Sequence, residues 1–359
     1  MEESDVFIRP MQENEKKSVR KIMNRSFPFV QRWFFSFTPN VLVAVLNEKV
    51  IGAIVLKRIP LPGKRKGGLM YWGFVDPDVR GMKIGLKLYK AGIEYLENLG
   101  CDEILGCVEG NNTSSNNILA ANGFSIMSLG QQIQRYGIGI VPLWFRIFHY
   151  IDIGHFLWVR PRTEKTGSSS WQWWGNVLIN ILVFSLASWT GFHFTNLRFY
   201  SVIPLFILLF LGVRAIAMRI AAKLCGLSVR YRAWESGFPL SFVLALISGI
   251  WYPIPGSVYP TSNQWRYRDL THKLGPIALA GAFSILLLTW GLSAFFHSLP
   301  SEMAFMSYFI ELAGKPLLIF DIMLPFFPFV SYDGRRIWDW NRIIWVVTAV
   351  AAGGVVWFG

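Results

Sequence analysis

The chain has 359 residues, a formal net charge of +13, 16% charged residues and a mean hydropathy of +0.37. It is too apolar for an ordinary soluble enzyme, yet roughly the first 150 residues alternate polar and apolar like a water-soluble domain, so the chain reads as having two solvents. The basic excess comes without a DNA- or RNA-binding signature and sits beside long apolar runs, which excludes nucleic acid as the expected partner and favours a lipid headgroup layer. Cys101, Cys107 and Cys225 contain no Cys-x-x-Cys pair, so neither a disulfide framework nor a zinc knuckle is indicated. The start Met1-Glu2-Glu3-Ser4-Asp5 is acidic and unlike a signal peptide, so the first domain is expected in the cytosol.

In chain order, Val6 to Pro10 reads as a strand, and Asn14 is placed to cap a helix over about Glu15 to Arg25. An amphipathic piece follows at Phe29 to Phe37. Asn40 to Leu46 and Val50 to Leu56 are apolar runs joined by the hairpin signal Asn47-Glu48-Lys49, with Gly52 inside the second. A central strand, Tyr71 to Val75, stops at Asp76-Pro77-Asp78, and an apolar helical pattern resumes at Ile84, Leu86, Leu88 and Tyr89 toward Leu99. The turn between them puts backbone N–H groups of residues about 80 to 85 at a fresh helix N-terminus, with Arg80 and Lys83 adding charge and Gly81 and Gly85 allowing close approach. Such an end suits pyrophosphate. A strand Glu103 to Val108, a short helix to Ala121 and a last pair of strands from Phe124 complete the order β-α-α-β-β-β-α-β-α-β-β, a mixed central sheet with flanking helices.

Three features of residues 5 to 145 resemble the GNAT superfamily of N-acetyltransferases. These are the strand ending Val75-Asp76-Pro77, the turn Arg80-Gly81-Met82-Lys83-Ile84-Gly85, and Asn112-Thr113-Ser114-Ser115 leading to Asn122-Gly123-Phe124. The resemblance implies an α/β acyltransferase fold with acetyl-CoA as cosubstrate, bound by Phe74, Val75, Arg80, Gly81, Met82, Lys83, Ile84, Gly85, Asn112 and Ser115. The splayed strands beside the turn would admit the pantetheine arm. Lys83 stands where the family's turn usually has Gly, and would offer its N–H given a negative φ. Leu119 falls where the family often has a tyrosine acting as general acid toward the departing thiolate, and Leu69 where some members place a carboxylate base. Tyr71 and Glu109 are the remaining candidates for proton work; the alternative is a core aromatic and an exposed strand-end charge. Asn111 and Asn112 are also placed to cap the following helix.

Residues 146 to 174 mix apolar bulk with Arg and His, then loosen at Gly167-Ser168-Ser169-Ser170, and read as an interfacial linker. Trp171, Trp173 and Trp174 form an aromatic belt before the first long apolar run. Expected spans are Gly175 to Phe194, Tyr200 to Gly226, Pro276 to Phe296, Tyr308 to Val330 and Ile343 to Phe358. Placing the basic clusters Arg160/Arg162/Lys165, Lys223/Arg230/Arg232, Arg266/Arg268/Lys273 and Arg335/Arg336/Arg342 on one side makes Phe238 to Trp251 a re-entrant element broken by Pro253 and Pro255. That topology puts Thr195-Asn196, Pro300-Ser301-Glu302 and Gly359 on the outer face.

Residues 175 to 345 resemble the site-two family of intramembrane metalloproteases through Phe320-Asp321-Ile322-Met323-Leu324-Pro325 and Asp333-Gly334-Arg335-Arg336. In place of its His-Glu-x-x-His stands Arg214-Ala215-Ile216-Ala217-Met218, and His149, His155, His193, His272 and His297 contain no i, i+4 pair. No zinc and no protease activity are therefore expected. Asp333 is expected to pair with Arg214 or Arg219, unless Arg219 and Lys223 snorkel to the interface. The reading that follows is an acetyltransferase domain (1–145), a linker (146–174) and an all-α polytopic membrane domain (175–359), acting on an amine of a membrane-bound peptide, protein or lipid. The alternative is a non-catalytic acetyl-CoA sensor or substrate-holding adaptor.

Overall fold

The computed structural model describes residues 6–148, 153–161, 168–192, 197–262, 264–297 and 306–358. Met1 to Asp5, His149, Arg162, Lys165, His193, Thr195-Asn196, Pro300-Ser301-Glu302 and Gly359 lie outside them. The described residues divide into two compact units. Residues 6–108, 114–148 and 156–161 form the first, and residues 109–113, 153–155 and those from 168 onward form the second.

The first unit is built on a mixed sheet in the order β1-β2-β3-β4-β5-β7-β6. Its elements are β1 (Phe7–Pro10), α1 (Lys16–Ser26), α2 (Phe29–Arg32), β2 (Asn40–Leu46), β3 (Lys49–Pro60), β4 (Lys66–Val75), α3 (Ile84–Asn98), β5 (Glu103–Glu109), α4 (Thr113–Ala121), β6 (Ser125–Ile126), α5 (Leu129–Tyr136), α6 (Ile140–Ile147) and β7 (His155–Arg160). The β2–β3 hairpin turns on Asn47 and Glu48, both left-handed (φ +47° and +61°), the geometry whose twist matches the flanking strands. Gly52 is required where β3 meets β4, since a Cβ there would lie 2.9 Å from the Phe74 carbonyl oxygen. On one face α1 buries Val19, Ile22 and Met23, at helical spacing. On the other, α3 buries Ile84, Leu88, Gly92, Ile93 and Leu96.

Three local expectations change. Asn14 does not cap α1: a 3-10 turn from Glu13 precedes the helix, and the Glu15 carboxylate accepts the N–H of Gln12 at 2.7 Å while pairing with Arg9. The piece at Phe29 to Phe37 is helical only through Arg32. Within the stretch read as a linker, His155–Arg160 is β7, paired antiparallel with β6 through Ser125↔Val159 and Ile126↔Trp158. The last two strands are separated by α5 and α6, which defeats a reading by adjacency.

The second unit is mainly helical but not all-α as expected, because two short strands pair antiparallel through Val229↔Pro260 to Arg232↔Ser257. It contains α7 (Ser169–Phe192), α8 (Leu197–Leu224), β8 (Val229–Arg232), α9 (Phe238–Ser248), β9 (Ser257–Pro260), α10 (Tyr267–His297), a run through α11 (Ser307–Phe309) and α12 (Lys315–Leu318) with π-helical turns at Ile310–Gly314 and Ile319–Met323, α13 (Asp333–Trp340) and α14 (Arg342–Phe358). Among the described residues, α8 and the stretch Tyr267–Phe296 of α10 are long and apolar enough to cross a membrane, and Arg342–Phe358 is a shorter apolar helix. At the start of α7, Trp171 and Trp174 are exposed.

Between α9 and β9 the buried segment Trp251 to Gly256 has no regular structure. Its carbonyls are taken up by side chains. Tyr332 donates to Pro253 O (2.8 Å), Asn180 to Ile254 O (3.0 Å), Tyr231 to Pro255 O (2.8 Å) and Arg214 to Gly256 O (3.0 Å). Arg214 also joins the helices, donating to Asp321 (2.7 Å) and Asp333 (2.8 Å), all three fully buried. Removing one partner of such a cluster strands a buried charge. Arg214→Ala is therefore expected to destabilise the helical unit by about 3 to 5 kcal/mol, read as a lowered unfolding midpoint of purified protein titrated with denaturing detergent. The triple change Arg214→Met, Asp321→Leu, Asp333→Leu should recover most of the loss.

Candidate functional site

The site begins where two strands part. β4 and β5 pair in parallel from Gly67↔Glu103 to Met70↔Gly106 and no further, although β4 continues to Val75 and β5 to Glu109. At the same place β3 and β4 slip register, from Leu56↔Met70 to Val55↔Trp72, so Tyr71 is the extra residue of a bulge. A bulge re-aims side chains and leaves ladder groups unpaired, and an open strand edge accepts an extended ligand through its main chain. Phe74, on that open stretch, is buried against α1. The Val75 carbonyl accepts from Ser26 Oγ at 3.2 Å.

The turn after β4 is pinned before it reaches α3. Asp76 donates its N–H to Ile51 O (2.8 Å), and its carboxylate accepts the N–H of Asp78 (3.1 Å). From α1 the guanidinium of Arg25 forks, one nitrogen on Asp76 and the other on Asp78, each at 2.8 to 2.9 Å. The sequence gives no signal for this clamp, because Arg25 lies 51 residues from Asp76.

Beyond the clamp, Gly81 has φ +94° and Lys83 φ +52°, and α3 starts at Ile84. The negative φ that the sequence reading required of Lys83 is not adopted. A non-glycine residue there costs roughly 1 to 2 kcal/mol, and the conformation is set by the tight entry into the helix. The first helical bond is Lys87 N–H to Lys83 O (3.2 Å), which leaves the preceding N–H groups of the helix start without helical acceptors. Ile84 is buried and Met82 half-buried, anchoring the turn, while Arg80, Gly81 and Lys83 are exposed. The two glycines serve differently. Gly81 has open space around it and is needed for its φ, whereas a Cβ on Gly85 would lie 3.2 Å from Ile118 of α4.

Of the two proton-transfer candidates, Tyr71 is half-exposed at the bulge. Its ring stacks on Phe148 (6.0 Å) with Lys57 above it (5.7 Å), and its hydroxyl lies 3.5 Å from Phe34 O and Ser36 Oγ. Glu109 closes β5 and is counted with the second unit, where Ser331 Oγ donates to it at 3.1 Å. Burial pushes its carboxyl above the ordinary range, opposed by the Asn111 N–H, His155, Ser331 and Arg336. Asn111 and Asn112 also belong to that unit. The Asn111 amide oxygen accepts from Arg336 (3.1 Å) instead of capping α4, and the Asn112 N–H donates to Glu109 O (3.0 Å). Ser115 lies in the first turn of α4, in the first unit.

Leu119 is fully buried, its methyls 3.5 to 3.6 Å from where Gly106 would carry a Cβ, and it offers no proton donor. Leu69 is likewise core, packed with Leu105. A residue that the sequence reading did not single out does carry one: Tyr89 of α3 lies across Gly73 on the open stretch of β4, its hydroxyl 3.2 Å from the position of a Gly73 Cβ. Burial pushes its pKa up to about 12, so at neutral pH it keeps its proton.

In the second unit, Arg214 and Met218, which the sequence reading set against the His-Glu-x-x-His motif, lie on α8. Met218 and the Asp333 carboxylate crowd Gly281 of α10, at 2.8 and 2.9 Å from its Cβ position. A guanidinium bonded to Asp321 and Asp333 already supplies the positive charge there, and neither Arg214 nor Met218 offers the imidazole or thiolate that zinc takes, so these residues do not fit that ion. Among the described residues no group of three or more His, Cys, Asp or Glu side chains could hold a metal.

Comparison with known proteins bears on each half separately. The C-terminal region is 30% identical over 134 residues to "Putative zinc metalloprotease MJ0611" of Methanocaldococcus jannaschii, a match spanning 37% of this chain and 66% of that relative's length. Solved structures similar to the chain include the Naa50 protein of Arabidopsis thaliana in complex with a bisubstrate analogue (16% identity, 44% of this chain and 98% of that one, TM-score 0.33). The ribosomal-protein-S18-alanine N-acetyltransferase of Escherichia coli is another (15% identity, 45% and 96%, TM-score 0.32). The model of the acetyltransferase (GNAT) family matches residues 9–124, a stretch that holds the bulge, the parted strands and the α3 turn, and these residues are accordingly a GNAT-family acetyltransferase domain.

Proposed function

We propose that the protein is a membrane-anchored N-acetyltransferase, moving the acetyl group of acetyl-CoA to an amine of a membrane-associated peptide, protein or lipid. The observation that carries this reading is the conjunction, in one GNAT-family stretch, of a parted β4–β5 pair with a helix start whose first N–H groups have no helical acceptor. The pyrophosphate lies on the turn from Arg80 to Gly85, and the pantetheine arm follows Phe74 and Val75 into the gap between strands; Asn112 and Ser115 are further candidates for holding the cosubstrate. A neutral amine attacks the thioester carbon, the carbonyl electrons move to oxygen, and their return expels the CoA thiolate. The amine proton goes to Glu109, Tyr71 orients the acceptor, and Tyr89 donates a hydrogen bond to the departing sulfur.

Charge-assisted contacts to an anion contribute roughly 1.5 to 3 kcal/mol each. Gly81→Asp or Gly85→Glu should therefore weaken acetyl-CoA binding by about tenfold or more in calorimetry. Tyr89→Phe should leave that affinity unchanged and lower kcat by about tenfold or more. Undiminished affinity in both glycine variants would remove the turn from the site.

Glu109 gives a second, independent handle. Its folded-state pKa lies above the unfolded value, so the native state holds an extra proton between the two. Stability therefore falls as pH rises from about 4.5 through the raised value. Glu109→Gln should flatten that slope in melts run across this window, and should slow acetyl transfer about 100-fold or more.

The membrane arrangement proposed with this function has five spans, formed by α7, α8, α10, the run from Ser307 to Met323 and α14. α9 and the Trp251 to Gly256 segment enter and leave from the cytosolic side, where the acetyltransferase domain meets acetyl-CoA, and the C-terminus lies outside. Support comes from the two helices long and apolar enough to cross and from side-chain bonding of the irregular carbonyls. On a cysteine-free background in intact cells, Ser301→Cys should react with an impermeant reagent and Ser262→Cys should not. Labelling at Ser262→Cys from outside would make the α9 stretch a full span.

A second reading, favoured by the burial of Leu119 at the position of the usual tyrosine, is a non-catalytic acetyl-CoA sensor whose membrane unit holds a substrate or partner. Full binding with no transfer to any membrane amine would select it.

A further inference from the structure

The residues around Tyr71 are covered on two sides by elements that are apolar where they meet solvent. On α2 and just after it, Phe29 (64% exposed), Trp33 (71%) and Phe34 face outward, with the rings of Phe29 and Trp33 in edge contact at 5.4 Å. On the other side α6 buries Ile140, Leu143, Trp144 and Ile147, yet its outer face is again apolar: Val141 and Phe145 are each 51% exposed, and Ile138 ahead of them 95%. A short helix bordered by water carries mostly polar residues on its outer face; one whose outer face is mostly apolar is built for a second apolar phase.

Both elements converge on Tyr71, α2 through Phe34 and α6 through Phe148. The end of β3 and the β3–β4 connection hold the α6 side, since Arg146 donates to Pro60 O (3.3 Å), Lys57 to Arg146 O (3.3 Å), and Gly139 lies against Pro62. The charge is of one sign. Residues 27–46, 56–66 and 129–148 contain no Asp or Glu, while Arg32, Lys57, Lys64 and Arg146 are interleaved with the apolar side chains. Tryptophan and phenylalanine flanked by Arg and Lys, without acids, match the interface of a bilayer carrying anionic headgroups. A second protein would need a complementary acidic and apolar face, whereas the same chain already contains helices of membrane-crossing length.

We infer that this face is a lipid-docking surface: α2 and the Ile138 to Phe145 edge insert into the headgroup layer, and Lys57, Lys64, Arg32 and Arg146 lie among the phosphates. The inference rests on the acetyltransferase reading for its consequence, which is that Tyr71 meets an acceptor amine presented at headgroup depth. Acceptors dissolved in bulk water are then poor substrates for a geometric reason.

The test uses the full chain in nanodiscs, with Cys101, Cys107 and Cys225 replaced by serine and a single cysteine carrying an environment-sensitive nitrobenzoxadiazole dye. Dyes at Ile138→Cys, Val141→Cys and Trp33→Cys should be blue-shifted and quenched by doxyl lipids about threefold or more relative to one at Lys90→Cys, an exposed position on α3. Quenching should increase when phosphatidylglycerol replaces part of the phosphatidylcholine, and fall in a Lys57→Glu, Lys64→Glu, Arg146→Glu background. Dyes as wet as the one at position 90 overturn the proposal. So do dyes that are blue-shifted but unquenched, because protein then covers the face. Acetyl-CoA affinity and transfer to a soluble amine, measured on the same proteins, separate the two readings: retained binding and transfer with unquenched dyes sinks only the docking surface.

Discussion

A backbone N–H or carbonyl withdrawn from water must find a partner, and the two units of this chain meet that constraint in opposite ways. In the first, the sheet stops answering it. Past Met70 and Gly106 the neighbouring strands no longer bond each other, a bulge displaces Tyr71, and α3 opens behind a glycine and a left-handed lysine. Groups that could have closed a ladder are left directed at whatever enters. In the second unit an irregular stretch rich in proline runs through the interior, and successive carbonyls from Pro253 to Gly256 are closed by Tyr332, Asn180, Tyr231 and Arg214. The first arrangement leaves strand edges open. The second has already supplied its own partners.

Arg214 shows how far that closure goes. One side chain on α8 bonds two carboxylates and a carbonyl from three other segments. A guanidinium differs from a metal in being covalently part of the helix, so the positive charge of the cluster does not depend on metal supply. Burying three charged groups contributes less to stability than apolar packing of the same volume would. Its value lies in the single arrangement it permits among α8, the run ending at Met323 and α13.

Local chemistry made much of the first unit legible. Asn47-Glu48 announced a hairpin, and Asp76-Pro77 followed by glycines announced a strand stop and a helix start, because turns and caps are written in the residues that form them. What escaped was set by distant contacts. Nothing near Arg25 says that it will hold two aspartates across the sheet. Nothing in Arg80 to Gly85 says that Lys83 will be left-handed, since the entry angle into α3 decides it. β7 was hidden for a related reason: two helices intervene before its partner strand, and its aromatic, basic sequence suits a membrane surface as well as a sheet. In the second unit Arg214 was readable as a misplaced charge seeking an acid, but Asp321 as its second partner was not, because the run that carries it is bent by π-helical turns.

The partners of Glu109 and Asn111 have a consequence for how the protein is made. Ser331 and Arg336 lie 222 and 225 residues further along the chain. At translation speeds that interval lasts roughly 10 to 45 s, during which the end of β5 has emerged without these two native partners. The catalytic candidate at that strand end is therefore finished only when nearly the last helices have left the ribosome. A chain arrested or cleaved before residue 331 would carry the whole GNAT-family stretch and still lack the side chain that holds Glu109, so maturation of the strand end is tied to completion of the helical unit.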